Sequence, residues 1–230
     1  MDKMNQLKDL LSHQVNDLYS AEEQIIEALP AMIEKAKDRK LKKLLQEHLR
    51  ITELQKERLD DIMPLLEVEP AKKGFLSGLF GSNKCKGIEG LITEGERTIS
   101  EDMDPDVRDA AIIASVQKIE HYEISGYGTA RAYAEELGMG ELVEVLRMIR
   151  DEEYEADNLL TELAVGRLNK EAVSQTNRNN RRAGSGRVGT SRDKQSSGNK
   201  RSGRAGSAAA RTKTTGRATR KKSLRGNSKN

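Results

Sequence analysis

Cysteine occurs once in the 230 residues, at Cys85, which excludes an internal disulfide and fits a reducing compartment. It reads as a small residue at a loop end rather than a reactive thiol. No apolar run approaches the roughly 18–20 residues that a membrane-spanning helix needs. The opening stretch, MDKMNQLKDL, lacks the apolar core of a secretory signal. A cytoplasmic protein without a membrane span is therefore expected. No segment reads as a convincing strand.

Acidic residues are almost missing from one part of the chain. Residues 174–230 hold 17 Lys and Arg against one acid, Asp193, and no aromatic, whereas residues 1–173 hold 23 basic and 36 acidic residues. The overall charge of +3 conceals a part at −13 and a part at +16. The first is long enough for one compact domain with its own core. The second, rich in Gly, Ser, Thr, Arg and Lys, is a basic low-complexity tail expected to be disordered in isolation.

Apolar spacing within residues 1–173 predicts four long helices and one short one, an all-α antiparallel bundle. The first runs from about residue 4 to 38 and contains Pro30, where a kink or short break is expected. The second runs from about 39 to 67. The connection EVEPAKKGFLSGLFGSNKCKG follows, with Phe75, Leu76, Leu79 and Phe80 placed to cover one end of the bundle. A short helix spans about 86 to 101. Asp104 caps the next, Pro105 opens it, and Gly138 and Gly140 bracket the turn at its end into a last helix reaching about 173.

Polar residues interrupt the apolar stripes. On a helix advancing about 100° per residue, Leu11, Val15, Leu18, Ile25, Leu29, Met32 and Ala36 share one arc, and Glu22 lies near its centre. In the second helix Leu41, Leu44, Leu45, Leu59, Ile62, Met63 and Leu66 make the stripe that His48, Thr52 and Gln55 break. In the helix after Pro105, Glu120 and Glu123 lie one turn apart among Ile112, Ile113, Val116, Ile119 and Tyr127. The last helix presents Leu142, Val145, Leu146, Ile149, Ala156, Leu159, Leu160 and Leu163, with Glu153 within about 40° of that face, Glu152 farther off and Asp157 peripheral. Solvation explains most of the acids but not Glu22, Glu120 and Glu123, each near the middle of an apolar stripe. Like charges meeting at one level of a bundle need compensation. A pair of divalent cations supplies it; a network of protonated carboxyls bonded to Thr52, Gln55 and Tyr127 is the alternative.

The stretches NDLYSAEEQIIEALPAM, HLRIT with LQKERL, GLITEG, QKIEHYEISGYGTA and DEEYEADNLL resemble the YciE/YciF family of ferritin-like proteins, over residues 4–168. The resemblance implies a ferritin-like four-helix bundle with a di-metal centre, in proteins associated with bacterial stress responses. Carried onto this chain, the candidate metal ligands are Glu22, His48, Glu120, Glu123 and Glu153, with Glu152 beside the last. Two positions depart from the pattern: Ile51 stands where that family has a glutamate, and Ala156 where many di-iron bundles place a histidine. Both changes remove ligands and put a full two-ion site in doubt.

One nitrogen and several carboxylates favour Fe or Mn, two ions at most, over copper or structural zinc. His13 and His121 point outward and read as surface or subunit-contact residues; a homodimer is expected. Two functions remain in view. One is a metal-binding stress protein, with Fe(II) oxidase or peroxide-consuming activity as the candidate chemistry, tethered to the nucleoid by its tail. The other is a non-catalytic helical scaffold or nucleoid-associated protein.

The tail carries its own expectation. Seventeen cations without an aromatic neutralise phosphates but cannot stack on bases, so residues 174–230 are expected to bind nucleic acid without sequence preference. Gel-shift titration should show duplex binding by the full chain that weakens steeply with salt, at roughly 0.9 in log–log slope per phosphate contact. Truncation after Val173 should abolish it. Binding that survives truncation, or ignores salt, assigns the interaction elsewhere.

Overall fold

The computed structural model describes residues 4–66 and 84–174. The expectations for the connection at 67–83 and for residues 175–230 lie outside these. The described residues contain five helices: α1 (Leu7–Lys35), α2 (Arg39–Ile62), α3 (Lys86–Ile99), α4 (Pro105–Glu136) and α5 (Gly140–Leu163). A 3₁₀ turn, Met63–Leu66, ends α2, and a π-helical turn, Ala164–Leu168, follows α5. There is no strand among the described residues. No helix among them is long and apolar enough to cross a membrane.

Local chemistry sets the boundaries. Asp38 caps α2 by accepting from the amides of Lys40 and Leu41 at 2.9 and 3.0 Å. Asp104 accepts from the Asp106 amide at 3.1 Å with Pro105 in the first turn, as its sequence signature predicts. Pro64 has no amide hydrogen to continue the α2 ladder, and the chain tightens into the 3₁₀ turn there. Gly138, at φ +69°, takes the left-handed position between α4 and α5. The break expected at Pro30 is not found: α1 continues through it to Lys35. Pro30 is exposed, on the solvent side of the helix, where the carbonyl it leaves unpaired can turn to water.

The core has two apolar halves. One gathers Ile25, Leu29, Met32, Leu41, Leu45, Ile112, Val116, Leu160 and Leu163, with Ile88 and Ile99 of α3 closing that end. The other gathers Leu11, Val15, Leu18, Leu59, Ile62, Tyr127, Ala130, Leu142, Leu146 and Ile149. Along α1 and α5 the chain passes from the second half to the first, and along α2 and α4 the reverse. Between the halves, on all four long helices, sit buried polar side chains: Glu22, His48, Thr52, Gln55, Glu120, Glu123 and Glu153. Close to this layer α1 and α4 approach tightly, because a Cβ on Gly126 would stand only 2.7 Å from Leu18 Cδ2.

One stripe differs from expectation. Leu159 is 40% exposed, and Ala156 and Leu44 are only partly buried. The reason is that α5 packs closely on α4 but more loosely on α2, so its α2-facing edge is left uncovered.

Asp109 of α4 locks the link between α1 and α2, accepting from the amides of Lys37 and Asp38 at 2.7 and 2.9 Å. Replacing it with alanine orphans both donors, so Asp109→Ala should cost about 2–4 kcal/mol in urea unfolding. Asp109→Asn keeps an acceptor and sheds a carboxylate whose pKa burial raises, so its loss should be clearly smaller.

Candidate metal centre

Mid-helix position and the stripe azimuth together deliver the five carboxylate and imidazole side chains to one level. Glu22, Glu120 and Glu153 are fully buried, Glu123 is 1% and His48 6% exposed. His48, Glu120 and Glu153 form the tightest group. One donor atom from each lies within 4.8 Å of the others, and His48 Nε2 is 3.1 Å from Glu120 Oε1. Donors sharing one first-row ion stand about 3–4 Å apart, so small side-chain adjustments would let this triad hold an ion.

Glu22 and Glu123 complete the layer without joining the triad. The Tyr127 hydroxyl donates to Glu22 Oε1, and Gln55 Nε2 donates to Glu153 Oε1. Much capacity is left over: Glu22 Oε2, Glu123 Oε1, Glu153 Oε2, Gln55 Oε1 and His48 Nδ1 are buried without a hydrogen-bond partner, and the 3.1 Å approach of His48 Nε2 to Glu120 Oε1 is a contact without hydrogen-bond alignment. Both Glu120 oxygens also lack a donor while all carboxyls are ionised, but a proton on Glu153 reaches Glu120. A fully satisfied polar core would not look like this. Among these side chains, His48, Glu120 and Glu153 could hold a metal ion.

Electrostatics give the same picture. Burial pushes the Glu120 carboxyl up to about 8, although a hydrogen bond from Glu153 pulls it down. Glu153 is driven well above the carboxylate range by burial, then by the Glu120 charge and by holding the shared proton. Burial also raises Glu22 and Glu123; Glu153 adds to Glu22, and Glu22, Glu153 and Glu120 add to Glu123. Without a cation, this layer is held together by protons.

The neighbours sort themselves plainly. Glu152 lies at the edge of the layer, paired with Arg58 at 2.7 Å and accepting from Gln55 Nε2 at 3.1 Å. His121 is 67% exposed and 3.6 Å from Asp157, and His13 is exposed, as the helical wheel indicates. Cys85 is fully buried at the N-terminus of α3, its Sγ 3.2 Å from Asp17 Oδ2 and 3.1 Å from Tyr122 Oη. Burial raises its pKa, which keeps it a thiol. The Asp17–Tyr122–Cys85 contact and the Arg58 pair joining α2 to α5 carry no periodic signal that a sequence reading could find.

Residues 6–173 match the profile of a family described as a domain of unknown function, DUF892. The chain belongs to this family. Protein YciF of Escherichia coli (strain K12) is 37% identical over 172 residues, 75% of this chain and 98% of that protein. The crystal structure of the E. coli stress protein YciF aligns with a TM-score of 0.65 at 36% identity, covering 73% of this chain and 99% of that one. YcfI from Rhodopseudomonas palustris aligns at 0.64 and 40% identity, over 71% and 99%. The YciE/YciF resemblance and the all-α, ferritin-like antiparallel bundle are therefore established for this chain. Within this DUF892 bundle, the two departures noted in the sequence fall together: Ile51 and Ala156 both line a cleft between α2 and α5 beside His48. The α2–α5 side of the layer thus offers only His48 and Glu153 as donors.

The sign of the pH effect follows. A carboxyl whose folded pKa is raised binds its proton in the folded state at a pH where the unfolded chain has lost it, so folding stability falls as pH rises through the folded pKa. For Glu120 that window extends from the ordinary carboxylate value of 4.5 to about 8. The lowered carboxylates, Asp38, Glu47, Glu89, Glu94 and Asp151, titrate below this window and do not offset it. Metal-free protein should therefore melt progressively lower as pH rises from about 4.5 to about 8. A flat profile would mean the layer is already ionised and compensated.

Proposed function

We propose that this protein is a stress-response member of its family whose bundle binds Fe or Mn, two ions at most, through Glu22, His48, Glu120, Glu123 and Glu153. The observation that carries this reading is the number of buried, unpartnered carboxylate and imidazole atoms contributed by four helices to one layer. The stress association rests on the relative described as a stress protein. Mostly oxygen donors with one imidazole suit Fe and Mn.

Bound at this layer, Fe or Mn would supply one-electron chemistry toward dioxygen or peroxide. The chain's own part is to bind, orient and move protons. Gln55 steadies Glu153, and Tyr127 steadies Glu22. Loading an ion must displace the protons that the layer holds, so affinity should rise with pH. The two apolar halves on either side exclude bulk water. Residues 174–230, a separate basic tail in this reading, would bring the bundle to nucleic acid by phosphate neutralisation.

A second reading is favoured by the shared proton of Glu120 and Glu153 and by the Tyr127–Glu22 bond. In it the layer is a hydrogen-bonded structural element of a scaffold and holds no ion.

Elemental analysis of protein purified without chelator, followed by anaerobic Fe(II) and Mn(II) titration, separates the two. Up to two ions per chain are expected, with release of protons on binding. Glu120→Gln and Glu123→Ala should each weaken affinity about 10–100-fold. In metal-free protein at neutral pH, Glu123→Ala should leave stability unchanged or raise it, by removing like-charge strain. No binding at millimolar metal would leave the scaffold reading in its place.

A further inference from the structure

The cleft between α2 and α5 is built like a small-molecule site. It has a volume of about 200 Å³ and is walled by Leu44, Ile51, Val116, Ala156, Leu159 and Leu160. Three acids, Glu47, Glu152 and Glu155, stand at its margin, and His48 lies at its inner end. Arg50 and Arg58 pair with the first two at 2.6 and 2.7 Å, which leaves the margin weakly anionic rather than cationic. Among the buried polar side chains named above for the layer, His48 alone keeps more than 1% exposure. The outer wall, Leu159, is 40% exposed.

These features select the guest. An aliphatic wall offers dispersion and release of water but no hydrogen bond, so a polar molecule would lose its hydration without return. A weakly anionic margin, with no Lys or Arg among the residues that line the cleft, disfavours carboxylates and phosphates. Size does the rest. Pockets for drug-sized ligands begin near 300 Å³, whereas an aliphatic cavity of about 150 Å³ accepts benzene. We propose that the α2–α5 cleft binds one small, uncharged, apolar molecule, the size of a single aromatic ring or a short alkyl chain, against the edge of His48. This is a site distinct in chemistry from the carboxylate layer, and its test needs no metal.

Toluene is the probe and benzoate its charged counterpart. The chain has three histidines, and the other two are exposed, so the ring C–H signals of His48 can be followed individually by NMR. Toluene should shift the His48 signals saturably, and benzoate should not. Ile51→Trp fills the cleft and should weaken the toluene response about tenfold or more, with helicity unchanged by circular dichroism. Should that variant misfold, Ala156→Leu, at a partly buried position, fills the same space. A His48 spectrum indifferent to toluene overturns the proposal, as does a response to benzoate equal to that to toluene. Leu159→Asp, at the exposed wall, tests whether a second copy of the chain covers the cleft. If sedimentation shows that it converts a dimer to monomers, and toluene binds neither form of the unsubstituted chain, the cleft is an interface and the proposal fails.

Discussion

The structure depends on one constraint: four helices bury four carboxyls and an imidazole in a single layer between two apolar halves. Each ionised carboxylate taken out of water costs several kcal/mol, and mutual repulsion adds to it. Such a layer survives only if something positive resides in it. Protons are one choice and a divalent ion is the other. The directions of the shifts at Glu22, Glu120, Glu123 and Glu153 describe the first state, and the unpartnered atoms mark the room for the second.

The two choices compete for the same oxygens, which ties folding, pH and metal together. The supporting bonds come from neutral groups, Tyr127 and Gln55, and neither can cancel a carboxylate charge. Both orient single oxygens and leave the second one free. Arg58 is engaged by Glu152 at the edge of the bundle and does not enter the layer. The charge problem is therefore left unsolved by the protein's own side chains, an arrangement typical of sites that bind or react rather than merely support.

An asymmetry in packing shapes what surrounds the layer. The α4–α5 and α1–α2 hairpins are each closely packed, and Gly126 lets α1 press against α4. The remaining side, α2 against α5, is the loose one. Ile51 and Ala156 occur on this side, where both line the apolar cleft.

Much of this was legible in the chain. The helices, the cap at Asp104, the opposite charges of the two parts, and Glu22, Glu120 and Glu123 as buried acids all follow from spacing and side-chain chemistry, because helical periodicity records the azimuth of every residue on its own helix. His48 could be picked from the three histidines because it alone interrupts an apolar stripe, while His13 and His121 point outward on their helices. Periodicity does not say which helix a face meets or how closely. It assigned Leu159 to the core because an apolar residue at that azimuth is usually covered, and the loose α2–α5 contact leaves it exposed. It ranked Glu153 above Glu152 by azimuth, but could not show that Arg58 of another helix pairs with Glu152. Sequence alone determined that Glu22, Glu120 and Glu123 lie inside apolar stripes; only the tertiary structure decided which carboxyls meet and that Asp109 is buried as well, because distances between helices depend on packing across the bundle and not on any one helix.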